Sequence, residues 1–300
     1  MRTLEIFQVD AFTTERFKGN PAGVVINADG LSDEEMLWIA RELNNSETAF
    51  MFSPDGPDHE VKIRYFTPKT EVPICGHATI AAHYVRALER GLDSSTVRQK
   101  IGIGVLPVEI IKHDDDYSII MTQGKVVFCE PLSVGDKEQI INALGIRESE
   151  LDTRCPLQIV STGHSKVMIG VTSRSTLDSL IPDTQALTQI SKLINCNGYF
   201  VFTLDSHIEG VLTHGRMFAP AIGINEDPVT GNAHAPLGPY LIIHGLISPK
   251  ENIVTFKGEQ GYSLGRSGIV DVYVSLNHGE VEEVRIGGKA VIVFKATIKI

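Results

Sequence analysis

Three short stretches hold the side chains best able to move a proton or hold an anion. They are "NNSETAF" with Glu47, "TEVPICGHATIAAHYV" with Cys75, Gly76 and His77, and "EDPVTGNA" with Asp227, Thr230, Gly231 and Asn232. A carboxylate at a strand start beside a pocket loses hydration, which raises its pKa toward the range useful for proton transfer. Glu47 is so placed, although a Glu is also common on solvated surfaces. A thiol at a helix N-terminus has a depressed pKa and serves as a base or nucleophile, so Cys75 competes with Glu47 for that role; burial as a small apolar side chain is its other reading. Glu226 and Asp227 supply carboxylates ahead of Gly231, and Asp227 before Pro228 equally suits a turn. Gly76 and Gly231 each open an apolar run. The first side chains after them, His77 and Asn232, suit ligand orientation or simple helix capping.

Metal and cofactor signals do not appear in the local spacing. His77 and His83 are six apart and point to different faces of a helix, so they do not form a metal pair. Cys75, Cys129, Cys155 and Cys196 are scattered without a CxxC pair, which predicts free thiols rather than a disulfide framework or a zinc site. No GxGxxG, P-loop, HExxH or GxSxG is found. Chemistry without metal or cofactor is therefore expected.

These residues must be positioned by elements that the sequence also announces. "LSDEEMLWIARELNN" opens with a capping box between Ser32 and Glu35 and reads as a helix of about three turns. "ETAFMFS" and "HEVKIRYFTP" read as strands around the turn "PDGPD". From Gly76 to Glu89 the apolar positions cover most of a helix circumference, which predicts a helix surrounded by other structure. The same series returns in the second half. "DTQALTQISKLI" reads as a helix capped by Asp183, "GYFVFTL" and "IEGVLTHGRMFAP" as strands, and "GNAHAPLGPYLIIHGL" as a second apolar helix, with a kink expected at the later of Pro236 and Pro239.

Aligning the two halves places Arg64-Tyr65-Phe66-Thr67-Pro68 over Arg216-Met217-Phe218-Ala219-Pro220, and Cys75-Gly76-His77-Ala78 over Thr230-Gly231-Asn232-Ala233. The repeat predicts two related lobes, 1–125 and 126–287. If the two helix N-termini face a common cleft, their unpaired N–H groups and partial positive charge make a site for a carboxylate or a developing oxyanion.

Composition narrows the partners. The chain has 300 residues, 42% of them apolar, with 27 basic against 37 acidic side chains and a net charge of −10. Without a basic cluster, nucleic acid is not expected. No apolar run approaches a membrane span, and the N-terminus lacks a signal-peptide core, so a cytoplasmic protein is expected. A homodimer is the expected assembly, because exposed strand edges are often covered by a second copy.

Six stretches together resemble the PhzF family of phenazine-biosynthesis-type isomerases: "VDAFTTERFKGNPAGVV", "SETAF", "RYFTPKTEVPICGHATIAAHYV", "STGHSKVMIG", "RMFAPAIGINEDPVTGNA" and "GKAVIVF". The resemblance implies an α+β, diaminopimelate-epimerase-like fold of two pseudo-symmetric lobes, each a curved β-sheet around a central α-helix, with the last strand, about 288–300, returning to join the 1–125 lobe. It implies a cofactor-independent isomerase acting on a small, carboxylate-bearing molecule in the cleft between lobes. It places the catalytic Glu on Glu47, the orienting His on His77 beside the Gly76 amide, and the cleft Asp on Asp227. Asn232 stands where many members carry serine. Cys75 coincides with one thiol of the related amino-acid epimerases, while its counterpart Thr230 is a poor base. Two readings stay beside the isomerase: a racemase or epimerase using Cys75 with a second base, and a non-catalytic binder of an organic acid.

Overall fold

The computed structural model describes residues 2–300. The chain divides into two units, Met1–Thr122 with Gly287–Ile300, and Gln123–Ile286.

The first unit begins with β1 (Thr3–Ala11), β2 (Asn20–Val25), α1 (Asp33–Leu43), β3 (Glu47–Phe52), β4 (Val61–Phe66) and β5 (Glu71–Val72). It continues with α2 (Gly76–Arg90), β6 (Ser95–Ile101), β7 (Gly104–His113) and β8 (Asp116–Thr122). The second unit contains β9 (Val127–Pro131), α3 (Val134–Leu144), β10 (Gln158–Ser161), β11 (Ser165–Gly170), α4 (Arg174–Asp178) and α5 (Thr184–Ile194). There follow β12 (Tyr199–Thr203), β13 (Thr213–Ala219), β14 (Ile224–Asp227), α6 (Gly231–Ile243), β15 (Ile253–Gln260), β16 (Gly268–Asn277) and β17 (Glu280–Gly288). The chain then returns to the first unit as β18 (Ala290–Lys299), antiparallel to β1.

Strand pairing is the same in both units. In the first the order is β18-β1-β2-β3-β4-β6-β7-β8, parallel at β2/β3 and β4/β6 and antiparallel elsewhere. In the second it is β9-β10-β11-β12-β13-β15-β16, parallel at β11/β12 and β13/β15. The short strands β5 and β14 fold back on β4 and β13 and lead into α2 and α6.

The repeated arginine has a structural reason. Arg64 on β4 donates from Nε and Nη2 to the two Glu71 carboxylate oxygens at 2.7 and 2.5 Å. Arg216 on β13 does the same to Glu226 at 2.8 and 2.8 Å. Each fork pins the returning strand that delivers the next helix, and two-point arginine–carboxylate bonds fix geometry as well as adding energy. Glu226 is therefore committed to Arg216.

The capping box expected at α1 is formed: the Ser32 Oγ accepts from the Glu35 amide at 3.2 Å, and the Ser32 amide donates to Glu35 Oε2 at 2.8 Å. Ten of the fifteen residues of α2 are buried, and the helix touches β1, β2, β3, β7, β8 and β18. Its all-round apolar surface is thus covered by strands of its own unit. Full burial of Ile80 and Val85 contributes roughly 1.5–3 kcal/mol each.

In the second unit, side chains alternate along the strands. Val167, Ile169, Tyr199, Val201 and Phe218 pack with α3 and α5, whereas Met168, Phe200, Phe202 and Met217 pack with α6. The α6 helix runs unbroken through Pro236 and Pro239. Residues 233–241 are all buried, and that packing offsets the roughly 3 kcal/mol a helix-interior proline costs. Gly238 lets α6 approach the sheet: a Cβ there would lie 2.6 Å from Val274 Cγ2.

Candidate active site

Glu47 owes its position to the way α1 ends. Asn44 caps the helix in the left-handed conformation at φ 52°, and Asn45 is held by paired amide bonds with Gln8 at 3.0 and 2.8 Å. Three residues after the cap, Glu47 starts β3 in register with Ala22 of the parallel strand β2. Its side chain is only 15% exposed.

The helix mouth is built by the strand that precedes it. Tyr65 on β4 hydrogen-bonds Thr79 at 2.5 Å, and the Thr79 hydroxyl donates to the Cys75 carbonyl at 2.6 Å. Cys75 is the N-cap of α2, yet its side chain makes no cap bond. The first amides of the helix are thus not consumed by the capping side chain, and they carry the partial positive charge of a helix start.

These elements bring Glu47, Cys75 and His77 together beside Gly76. His77 Nε2 lies 3.4 Å from Glu47 Oε2 and 3.2 Å from Ser46 Oγ, and His77 Nδ1 lies 3.5 Å from Cys75 Sγ. Loss of hydration holds the Glu47 carboxyl above its ordinary value of 4.5, with hydrogen bonds from Ser46 and Cys75 offsetting part of the rise. A carboxylate made more basic in this way, with an imidazole beside it, can take a proton from a weakly acidic C–H and hand it back. A cavity of about 510 Å³ in this unit holds none of the three; it lies toward the other end of α2, lined in part by Arg86 and Arg90.

In the second unit, Asp227, Thr230, Gly231 and Asn232 are gathered at the start of α6. Asp227 ends β14 and is buried. The Thr230 hydroxyl donates to Asp227 Oδ2. Gln260 locks the turn: its Oε1 accepts from the Thr230 amide at 3.0 Å, and its Nε2 donates to the Asp227 carbonyl at 2.7 Å and to Thr230 Oγ1 at 3.1 Å. Asn232 keeps an enclosed carbonyl oxygen to which no side chain or amide donates. Burial pushes the imidazole of His234 down to about 3, so it stays neutral. Burial also pushes the Lys166 amine down to about 8, with the charges of Cys196 and Asp227 opposing that shift.

Ser46, Gln260 and Lys166 were not legible as site residues. Ser46 and Lys166 sit inside quoted motifs, beside or within "SETAF" and "STGHSKVMIG", but no spacing rule singles them out. Gln260 lies 30 residues from Thr230 and carries no signal at all. All four cysteines are free thiols, with Cys129 exposed and the other three buried. No helix among the described residues is long and apolar enough to cross a membrane.

The family model for phenazine biosynthesis-like protein, PhzC-PhzF, matches residues 9–296. An uncharacterized isomerase of Clostridium acetobutylicum is 55% identical over 298 residues, covering 99% of both chains. The crystal structure of a phenazine biosynthesis protein of the PhzF family from Bacillus anthracis superposes with a TM-score of 0.90 at 30% identity, covering 100% of both chains. A probable proline racemase from Agrobacterium radiobacter superposes with a TM-score of 0.67 at 11% identity, covering 99% of this chain and 93% of its own. That last likeness shows fold alone, and the fold is the α+β, epimerase-like arrangement that the family resemblance implies.

Proposed function

Since the chain belongs to the phenazine biosynthesis-like (PhzC-PhzF) family and is an isomerase, we propose that it moves a proton within a small, carboxylate-bearing substrate without cofactor, using Glu47 as acid and base. The observation that carries this reading is the Glu47 carboxyl, held above its ordinary pKa and 3.4 Å from His77 Nε2. Glu47 removes a proton from a substrate carbon, keeps it as a carboxylic acid, and returns it at another position. The negative charge that develops on the substrate is stabilised by the amides that open α2, which are donors fixed before the reaction begins. His77 orients the substrate. Asp227 assists the proton transfer, and Cys75, Gly76, Thr230, Gly231 and Asn232 are assigned to substrate binding.

A second reading is favoured by one contact. Cys75 Sγ lies 3.5 Å from His77 Nδ1, so a thiol-based racemase or epimerase reaction is the alternative. A non-catalytic organic-acid binder would share the binding residues but move no proton. Solvent-deuterium incorporation, measured over a panel of cyclic unsaturated acids and amino acids, tests all three. The isomerase gives a product with deuterium at a new carbon, the racemase gives it at the original carbon, and the binder gives none.

A further inference from the structure

Glu47, Cys75 and His77 present a carboxylate oxygen, a sulfur and an imidazole nitrogen within 4.8 Å of one another. Zinc takes this mixture of donors, at about 2.0–2.2 Å from oxygen, about 2.0–2.1 Å from nitrogen and about 2.3 Å from sulfur, in tetrahedral geometry. Those bond lengths set donor separations of roughly 3.3 Å between oxygen and nitrogen and roughly 3.6 Å between nitrogen and sulfur. The protein has 3.4 Å between Glu47 Oε2 and His77 Nε2 and 4.0 Å between Cys75 Sγ and His77 Nε2. Cys75 Sγ lies 3.5 Å from His77 Nδ1, nearer than to Nε2, so gathering all three donors on one tetrahedral ion requires Cys75 and His77 to turn about their side-chain bonds.

The donors are also well mounted. Glu47 is the first residue of a central strand, while Cys75 and His77 flank the first residue of a buried helix. Three protein ligands leave a fourth position open, the arrangement of exchangeable rather than structural zinc. One carboxylate among nitrogen and sulfur donors disfavours magnesium and calcium, which take oxygen. Local spacing could not disclose the site, because Glu47 lies 28 residues before Cys75 in the chain.

We propose that Glu47, Cys75 and His77 form a zinc-binding site, and that zinc held there blocks turnover by engaging Glu47 and His77. The binding half stands on geometry alone. The blocking half rests on the role given to Glu47 above.

The test starts from full-length protein freed of metal by dialysis against EDTA and titrated with Co²⁺ as a spectroscopic stand-in. One equivalent should produce a thiolate-to-cobalt charge-transfer band and the intense visible bands of a tetrahedral ion, and Zn²⁺ should bleach both. Cys75→Ser should lose the charge-transfer band. Cys129→Ser, which removes the exposed thiol, should keep it. Glu47→Gln and His77→Asn should each weaken zinc binding by at least about tenfold, since even disturbing a ligand's support costs about 10–100-fold. Circular dichroism confirms that each variant is folded. No saturable one-equivalent binding, or a charge-transfer band that persists in Cys75→Ser, overturns the site. On a turned-over substrate, zinc should suppress deuterium exchange and EDTA should restore it. Full exchange with zinc bound overturns the blocking role and also counts against Glu47 as the base, whereas the spectroscopic result would stand.

Discussion

Replacing Glu47 by Gln deletes the proposed base while keeping its shape and hydrogen-bonding capacity. General acid–base catalysis contributes about 10²–10⁴-fold, so the variant should lose roughly 3–5 kcal/mol of transition-state stabilisation, read as kcat and kcat/KM falling together. Stability should move little, and the sign follows from the raised pKa. The folded protein holds the Glu47 proton more tightly than the unfolded chain, whose ordinary value is 4.5. Any stability gained from this group is complete below 4.5 and disappears as pH rises through the elevated folded value. Above 4.5 the unfolded chain gains more from ionising this group than the folded protein does, a penalty the glutamine lacks, so at neutral pH the melting temperature of Glu47→Gln should be equal or higher. The assay is solvent-deuterium incorporation on one turned-over substrate, paired with thermal melts at neutral pH and below 4.5. Undiminished exchange in Glu47→Gln would refute the assignment of the base. A clearly lower melting temperature at neutral pH would refute the account of a carboxylate destabilised by burial.

Other consequences are testable on the same protein. Cys75→Ser should cost little turnover under the Glu47 mechanism, and His77→Asn should slow it less than Glu47→Gln does; the thiol-based alternative demands that Cys75→Ser be the most damaging, so the ranking of exchange rates separates them. Lys166, pushed down from 10.5 to about 8 by burial, binds its proton less tightly when folded, so wild-type stability should rise with pH between about 8 and 10.5. Lys166→Met should be more stable at neutral pH by up to roughly 3 kcal/mol and should lack that rise, and chemical denaturation across the window would show equal slopes if the reasoning is wrong. Gly238→Ala places a methyl 2.6 Å from Val274 Cγ2; an overpacking cost of about 1–3 kcal/mol should outweigh a helix-propensity gain of about 1 kcal/mol, and a variant more stable than wild type in denaturant would show that the sheet yields.

What the sequence disclosed was mostly local or periodic. The Ser32–Glu35 capping box is visible in "SDEE" because its partners are three residues apart. The surrounded α2 helix is visible because its apolar residues leave no polar face. The role of the repeated arginine was hidden for the opposite reason. Arg64 reaches a Glu seven residues on and Arg216 one ten residues on, so no fixed offset marks the pair. The continuation of α6 through Pro236 and Pro239 depends on tertiary burial, which outweighs the local cost of two helix-interior prolines. Likewise, Glu47 meets His77 across 30 residues of chain. The contact exists only because β3 and the start of α2 are neighbours in the same unit.

The two copies of the repeat have diverged in a way that bears on which groups can carry protons. At the start of α2, Glu47, Cys75 and His77 are all titratable side chains within reach of one another. At the corresponding start of α6, the place of the thiol is taken by Thr230, whose hydroxyl donates to Asp227 and also receives a bond from Gln260. A hydroxyl committed to a carboxylate acceptor does not serve as a base, and Asn232, where the first copy has His77, cannot titrate at all. Among these matched positions of the α6 copy, the one group left that can carry a proton is Asp227. A two-thiol exchange between matching positions is closed to this chain by Thr230, whatever the role of Cys75. Under the mechanism proposed here, the α2 copy carries a single shuttle on the Glu47 carboxylate.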